Sequence, residues 1–326
     1  MNVIRKLLNV AIPAAMVVAL FFFLPSLLFV KFIYSSFRRS NISEDVAGKV
    51  VLITGASSGI GEHIAYEYAK RGALLVLTAR RKERLREVAE KARKLGSPEV
   101  MVVRADVSKA DDRERFVDKA LHRFGRLDHL VNNAGIAPVH MFEDFALISD
   151  LAPVMETNFW GSVHSTHLAI PHLRKSRGKI IVISSMNGRF PLPRMSLYNA
   201  SKAALISLYE TLRVELDGDV GITIVTPWLV NTQGEFLSKL GLAEGVMKFI
   251  PVKAADECAR AIVESACRGD EYLTLPSQVR PLFLWKVFCP EVVEWFNRLL
   301  FLSQPKTLMK DLNFNLADEK FLKPGH

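Results

Sequence analysis

Apolar and polar positions fall into blocks along this chain, and each block has its own period. Residues 49–54 (KVVLIT) form an apolar, β-branched run too short for a helix. Such a run suits a strand buried on both faces of a parallel sheet. Residues 60–71 carry apolar positions at helical spacing, and residues 73–78 (ALLVLT) return to the buried-strand pattern. Together they make one strand–helix–strand unit. The rhythm continues. EVMVVRADV (99–107) predicts a third strand, DRERFVDKALHRFG (112–125) a helix, and LDHLVNNAG (127–135) a fourth strand running into a turn. GKIIVISS (178–185) predicts a fifth strand, residues 196–216 a long helix, and GITIVTPW (221–228) a sixth strand.

The alternation runs to about residue 230 with no Pro/Gly/Ser-rich linker and no internal repeat. It predicts a single α/β domain around a doubly wound, Rossmann-like parallel sheet. Beyond Asn231 the pattern loosens. Residues 236–250 predict a mobile helix, and ADECARAIVESACR (255–268) an amphipathic one. The stretch PLFLWKVFCPEVVEWFNRLLFL (281–302) is aromatic and apolar. Burial in the core is its default use. Covering a cleft, pairing subunits and lying on a membrane surface stay open beside it.

The front of the chain is different. Residues 7–30 hold no charged side chain, a length that suits a hydrocarbon core. A cleavable signal would have a shorter apolar region and a small-residue cleavage site. Here the run ends in bulky, basic KFIYSSFRR, which predicts an uncleaved anchor. Pro13 and Pro25 interrupt it, so a kinked span and a segment that dips in and returns both remain open. Arg5 and Lys6 precede the run, and Lys31, Arg38 and Arg39 follow it. That balance favours a body on the cytosolic side. The expected division is an anchor over 1–40, an α/β body over 41–280 and an aromatic extension over 281–326.

Composition changes the picture only in part. Apolar residues make up 49% of 326 residues, and mean hydropathy is +0.16, in keeping with an anchor. Net charge is +9, but no compact basic run or zinc spacing points to nucleic acid. An anionic membrane surface or an anionic cofactor accounts for the surplus. Cys258, Cys267 and Cys289 are few and scattered, which predicts buried apolar residues rather than a disulfide or metal framework. His63, His164 and His167 lack partners at ligand spacing, so no metal is expected. Sequons at Asn41 and Asn199 are treated as coincidences.

The candidate chemistry sits at the strand ends. TGASSGIG places Gly55, Gly59 and Gly61, with Ser57, Ser58 and Ile60, between a strand and a helix. Small residues let a backbone approach a pyrophosphate, and a helix N-terminus supplies N–H donors. After the second strand stand Arg80 and Arg81, where an acidic residue would hold the ribose of NAD. A guanidinium suits a 2′-phosphate, so NADP(H) is expected over NAD(H), which stays possible. Asp106 is placed near the adenine. Asn132, Asn133, Ala134 and Gly135 either cradle the adenosine side or simply turn the chain. In MSLYNASKAAL, Tyr198 and Lys202 lie four apart on a helix among small Ala200, Ser201 and Ala203, and so share one face. A free phenol titrates near pH ~10. A neighbouring cation would bring it toward the working range of a general base.

TGASSGIG, NNAG, an Asn in TNFWG, a Ser thirteen residues before a Tyr, and YNASK occur here in one order. Residues 48–232 thereby resemble the short-chain dehydrogenase/reductase family. With the proline-bearing anchor and FGRLDHLVNNAG, the chain looks most like its plant steroleosin branch, hydroxysteroid dehydrogenases of oil bodies related to the 11-beta-hydroxysteroid dehydrogenases. The resemblance implies Tyr198 as general acid/base. It implies Lys202 as the group that lowers the phenol's pKa and holds the nicotinamide ribose. Ser185 would bond the substrate oxygen, in preference to Ser184, and Asn158 would support a relay water. Thr232 would meet the carboxamide. It further implies a homodimer, a lipid-droplet and endoplasmic-reticulum location, and a steroid or sterol substrate. The same chemistry on another lipophilic alcohol is one alternative; a weakly active or inactive sterol-binding protein is the other. One departure stands out: the family has Pro-Gly where this chain has Pro227-Trp228, although Val230 and Thr232 match the positions that follow.

Overall fold

The computed structural model describes residues 43–145, 147–231 and 252–302, with scattered residues between 5 and 33. The chain divides into two units, Met1–Glu44 and Asp45–His326. In the first, the described residues from Ile12 to Ile33 are helical, and their large apolar side chains are exposed. Part of the expected anchor over 7–30 lies outside the described residues. Among the described residues no helix is long and apolar enough to cross a membrane, so the structure does not support that expectation.

The second unit is built on a parallel sheet. Its strands are β1 (Val50–Thr54), β2 (Leu74–Ala79), β3 (Val100–Arg104), β4 (His129–Asn132), β5 (Lys179–Ile183), β6 (Gly221–Pro227) and a late strand, Tyr272–Leu275. Between β6 and that late strand come β7 (Leu229–Asn231) and β8 (Val252–Ala254), which pair with each other, so the late strand is β9. The sheet order is β3-β2-β1-β4-β5-β6-β9. The order reverses between β1 and β4, which opens a crevice at the carboxyl ends of the strands. The doubly wound expectation holds. The seventh strand is an addition, joined parallel to β6 with Ile224 opposite Tyr272.

Both faces of the sheet are covered. Val51, Ile53, Leu75 and Leu77 point to one face, against α1 (Gly59–Ala69), α2 (Lys82–Lys94) and a helix at Ala255–Arg268. Val50, Leu52 and Val76 point to the other, against α3 (Ala110–Phe124), α5 (Gly161–Ser176) and α6 (Ser196–Glu215). This explains why β1 reads as unbroken apolar sequence: all five of its residues are buried, as a strand covered on both faces requires. The short α4 (Ala152–Met155) leads through a π-helical turn, Glu156–Trp160, into α5.

The helix at 255–268 is α7, and it buries Cys258 and Cys267 as expected. The apolar stretch beyond β9 folds as two helices, α8 (Pro281–Phe288) and α9 (Pro290–Phe301). Each starts on a proline, which has no N–H to lose at a first helical position. The helix expected over 236–250 lies outside the described residues.

Candidate active site

Thr54 ends β1, and the glycine turn follows. Gly55 has φ +66°, and Gly59, where α1 starts, also has positive φ. Ser58, the residue before α1, makes no side-chain cap, so the first-turn N–H groups of the helix stay open for an anion. Two of the three glycines have a further role. A Cβ on Gly55 would lie 2.8 Å from Ala134 Cα, and one on Gly61 would overlap the Asn133 amide. These glycines make room for the NNAG segment as well as for a ligand.

The segment is bolted down through Thr54, which sequence patterning did not single out. Its Oγ1 accepts from Asn133 N at 3.0 Å and Ala134 N at 3.1 Å, and donates to Val131 O at 3.2 Å. Asn133 Nδ2 donates back to Thr54 O at 2.9 Å and Gly55 O at 3.2 Å. Asn132 turns away: its Nδ2 donates to Thr166 Oγ1 at 2.8 Å and Tyr209 Oη at 2.9 Å in the core. The Nδ2 donors of Asn132 and Asn133 are thus spent on the protein, which fixes the turn. Gly135 faces the site, since a Cβ there would sit 3.3 Å from Asn158 Oδ1 and 3.5 Å from Lys202 Nζ.

Of the two arginines, Arg81 reaches the turn. Its Nη2 donates to Ser58 Oγ at 2.6 Å and Ser57 Oγ at 3.1 Å. Arg80 is exposed. Asp106 holds Ser108 N at 3.0 Å and Ser108 Oγ at 2.8 Å through Oδ1. Open helix N–H groups, a guanidinium on the serines of the turn and a buried lysine further in fit a nicotinamide dinucleotide. Thr232 lies outside the described residues.

Ser185, Tyr198, Lys202 and Asn158 come together. Ser185 follows β5, where its Oγ accepts from Asn187 N at 3.1 Å and bonds the Tyr198 phenol. Ser184 points the other way and donates to Lys202 O at 2.9 Å, which separates the two serines. A Cβ on Gly188 would sit 2.7 Å from the Lys202 carbonyl, so only glycine lets the turn after Ser185 press onto α6. Asn199 of the sequon is buried, donating to Leu192 O at 2.7 Å and accepting from Asn187 at 3.0 Å. The folded protein offers no glycan site there.

Asn158 sits in the π-helical turn and is fully buried, a distortion often found at functional sites. Its Oδ1 accepts from Ile136 N at 2.8 Å, and its Nδ2 donates to Ile136 O at 2.9 Å and Ser201 Oγ at 3.1 Å. Both ends of the amide brace the loop that leaves NNAG. Asn158→Ala is expected to strand both Ile136 groups, at about 2–5 kcal/mol. Thermal unfolding would report the loss, and an unchanged Tm would show that Asn158 has no bracing role.

The electrostatics differ from the sequence expectation. Burial pushes the Tyr198 phenol up, and the Ser185 hydrogen bond pulls it only partly back. Burial drives Lys202 down to about 8. Its Nζ donates to Ile183 O at 2.8 Å and stands 5.7 Å from the Tyr198 ring centroid. In this arrangement the ammonium is docked on a carbonyl, on the same side as the phenol ring.

An apolar wall rises beside Tyr198. Met186, Phe190, Leu192, Met195, Leu229, Val279 and Phe301 form a buried cluster, with Tyr198, Trp228, Phe283 and Leu300 packed on it. Helices α8 and α9 therefore roof the site. Arg189 fastens them, another residue that patterning passed over. Its carbonyl accepts from Lys286 Nζ at 2.7 Å, and its guanidinium pairs with Glu210 at 2.8 Å and lies over the Phe283 ring at 5.7 Å. No metal-ligating cluster occurs among the described residues. His63 Nδ1 instead bonds Gly59 O at 2.8 Å.

A family model described as short chain dehydrogenase matches residues 49–237. An Arachis hypogaea protein named 11-beta-hydroxysteroid dehydrogenase A is 52% identical over 321 residues, covering 95% of this chain and 92% of its own. An Arabidopsis thaliana protein named 11-beta-hydroxysteroid dehydrogenase 1A is 52% identical, covering 93% and 89%. Among solved structures, a short chain dehydrogenase/reductase from Burkholderia phymatum in complex with NAD is 25% identical. It covers 76% of this chain and 96% of its own, with a TM-score of 0.68. An alcohol dehydrogenase from Thermococcus sibiricus complexed with 5-hydroxy-NADP is 32% identical. It covers 70% and 95%, with a TM-score of 0.61. The glycine turn, the Ser185–Tyr198–Lys202 cluster and these matches agree: this chain belongs to the short-chain dehydrogenase/reductase family of oxidoreductases.

Proposed function

We propose that this oxidoreductase is a hydroxysteroid dehydrogenase of the 11-beta or 17-beta type, working with NADP(H). The observation that carries the reading is Ser185 beside the Tyr198 phenol, both next to an apolar wall roofed by α8 and α9. Two hydroxyls at the edge of an apolar cleft suit one oxygen on an otherwise apolar substrate. Its relatives' names point the same way. When bound, a nicotinamide dinucleotide supplies or takes the hydride. Ser185 orients the substrate oxygen. Tyr198, a phenol that burial holds further up still, is protonated at neutral pH and gives its proton to the oxygen of a ketone as that oxygen gains charge. In the alcohol-oxidising direction it takes the proton back. Lys202, charged below about pH 8, stabilises the resulting phenolate and offers donors to a ribose.

Arg81 supports the NADP(H) preference, because a 2′-phosphate beside Ser57 and Ser58 would meet a ready guanidinium. Arg81→Ala is expected to raise the KM for NADPH about tenfold to a hundredfold and leave that for NADH within about twofold, the loss of a charge-assisted bond. Equal effects on both cofactors would remove Arg81 from this role. NAD(H) use is the second reading, favoured by the NAD complex of the Burkholderia phymatum relative. The outer faces of α8 and α9 expose Trp285, Phe288, Trp295 and Phe296. This supports residence at an endoplasmic-reticulum or lipid-droplet surface and a homodimer, with the catalytic unit in the cytosol.

A further inference from the structure

We propose that Trp228 is the specificity-determining residue of the cleft, a wall that makes the site select a flat, fused-ring ketone or alcohol. The inference rests on the dehydrogenase reading above and names which part of the substrate is measured. Trp228 follows Pro227 at the carboxyl end of β6, the end where ligands enter a doubly wound sheet. Its position is held from two sides. Its backbone N donates to Leu275 O at 2.7 Å, tying it to the end of β9. Its ring meets Phe190 edge to face, with centroids 6.4 Å apart and planes at 68°.

Phe190 is buried and lies five residues after Ser185, beyond the turn pressed onto α6. Trp228 is only half-buried, yet it packs on the same apolar cluster as Tyr198. A large rigid ring fixed this way, half-buried on the cluster that also carries Tyr198, limits the thickness of what reaches the phenol. An indole face offers a fused-ring skeleton an extended apolar contact and offers a small ketone almost none.

The test compares a four-ring ketosteroid with cyclohexanone as substrates for the full-length protein and for Trp228→Ala and Trp228→Phe. Trp228→Ala is expected to raise the KM for the four-ring ketone at least tenfold with kcat within about threefold. For cyclohexanone, kcat/KM stays within about twofold, and the NADPH dissociation constant is unchanged. Trp228→Phe restores most of the four-ring affinity. A second readout needs no turnover. Tryptophan fluorescence of the unmodified protein is expected to be quenched by the four-ring ketone, and Trp228→Phe to lose most of that quench.

Parallel losses on both ketones in Trp228→Ala would overturn the proposal, as would an unaltered quench in Trp228→Phe. If the unmodified protein reduces neither ketone, the dehydrogenase reading fails by itself and the quench decides the place of Trp228. Absence of any quench then overturns the proposal as well.

Discussion

Tyr198→Phe is expected to lower kcat about a thousandfold, the scale of a lost general acid/base, with folding and cofactor affinity retained. The phenol packs on the apolar cluster beside Ser185, where it is placed to give a proton to a bound ketone. Removing one oxygen leaves the ring packed on the cluster of Met186, Phe190 and Met195. The loss therefore belongs in the chemical step and not in stability. The measurement is single-turnover oxidation of NADPH by a saturating ketone, beside a thermal unfolding scan. Activity within tenfold of the unmodified protein would assign the proton to another group.

Lys202→Met has the second large effect, about a hundredfold to a thousandfold on kcat/KM, because one cation serves both phenolate and ribose. It also carries a pH signature. Lys202 is 4% exposed, and burial lowers it from 10.5 to about 8. Between those values the unfolded chain binds a proton that the folded chain does not. Stability therefore rises with pH across that window. The linked gain reaches at most about 3 kcal/mol by pH ~10.5. Lys202→Met removes this slope and strands Ile183 O, so the Tm difference between the two proteins should widen from pH 7 to 10. Parallel Tm curves over that range would mean that Lys202 is not held in a desolvated site.

Much of this site was legible because local pattern and global use coincide. β1 is covered on both faces, so its apolar run is unbroken. Tyr198 and Lys202 share a helix face whatever packs on it. Features set by tertiary partners were not legible. β9 is four residues long and contains Thr274, whose hydroxyl meets Thr226 across the sheet at 3.0 Å. α5 is hidden by hydroxyls and by Pro171, yet Ser162 and Ser165 return their side chains to the carbonyls of Asn158 and Gly161.

α2 has apolar positions at Leu85, Val88, Ala89 and Ala92, a helical spacing thinned by the charged residues between them. Between those arginines, only the path of the chain puts Arg81 rather than Arg80 on Ser57 and Ser58. The amides of Asn132 and Asn133 look like ligand groups in sequence, and in the fold their Nδ2 donors bond to protein. Thr54 and Arg189 gain their roles from neighbours about 80 and 100 residues away, which no local signal encodes.

The most direct test is absorbance at the reduced-nicotinamide band, with full-length protein, NADPH or NADP+, and a matched ketosteroid and hydroxysteroid. Steroid-dependent turnover in both directions that disappears in Tyr198→Phe is the expected result. Steroid-dependent turnover that persists in Tyr198→Phe, or no cofactor turnover by folded protein that binds both NADPH and steroid, would contradict it.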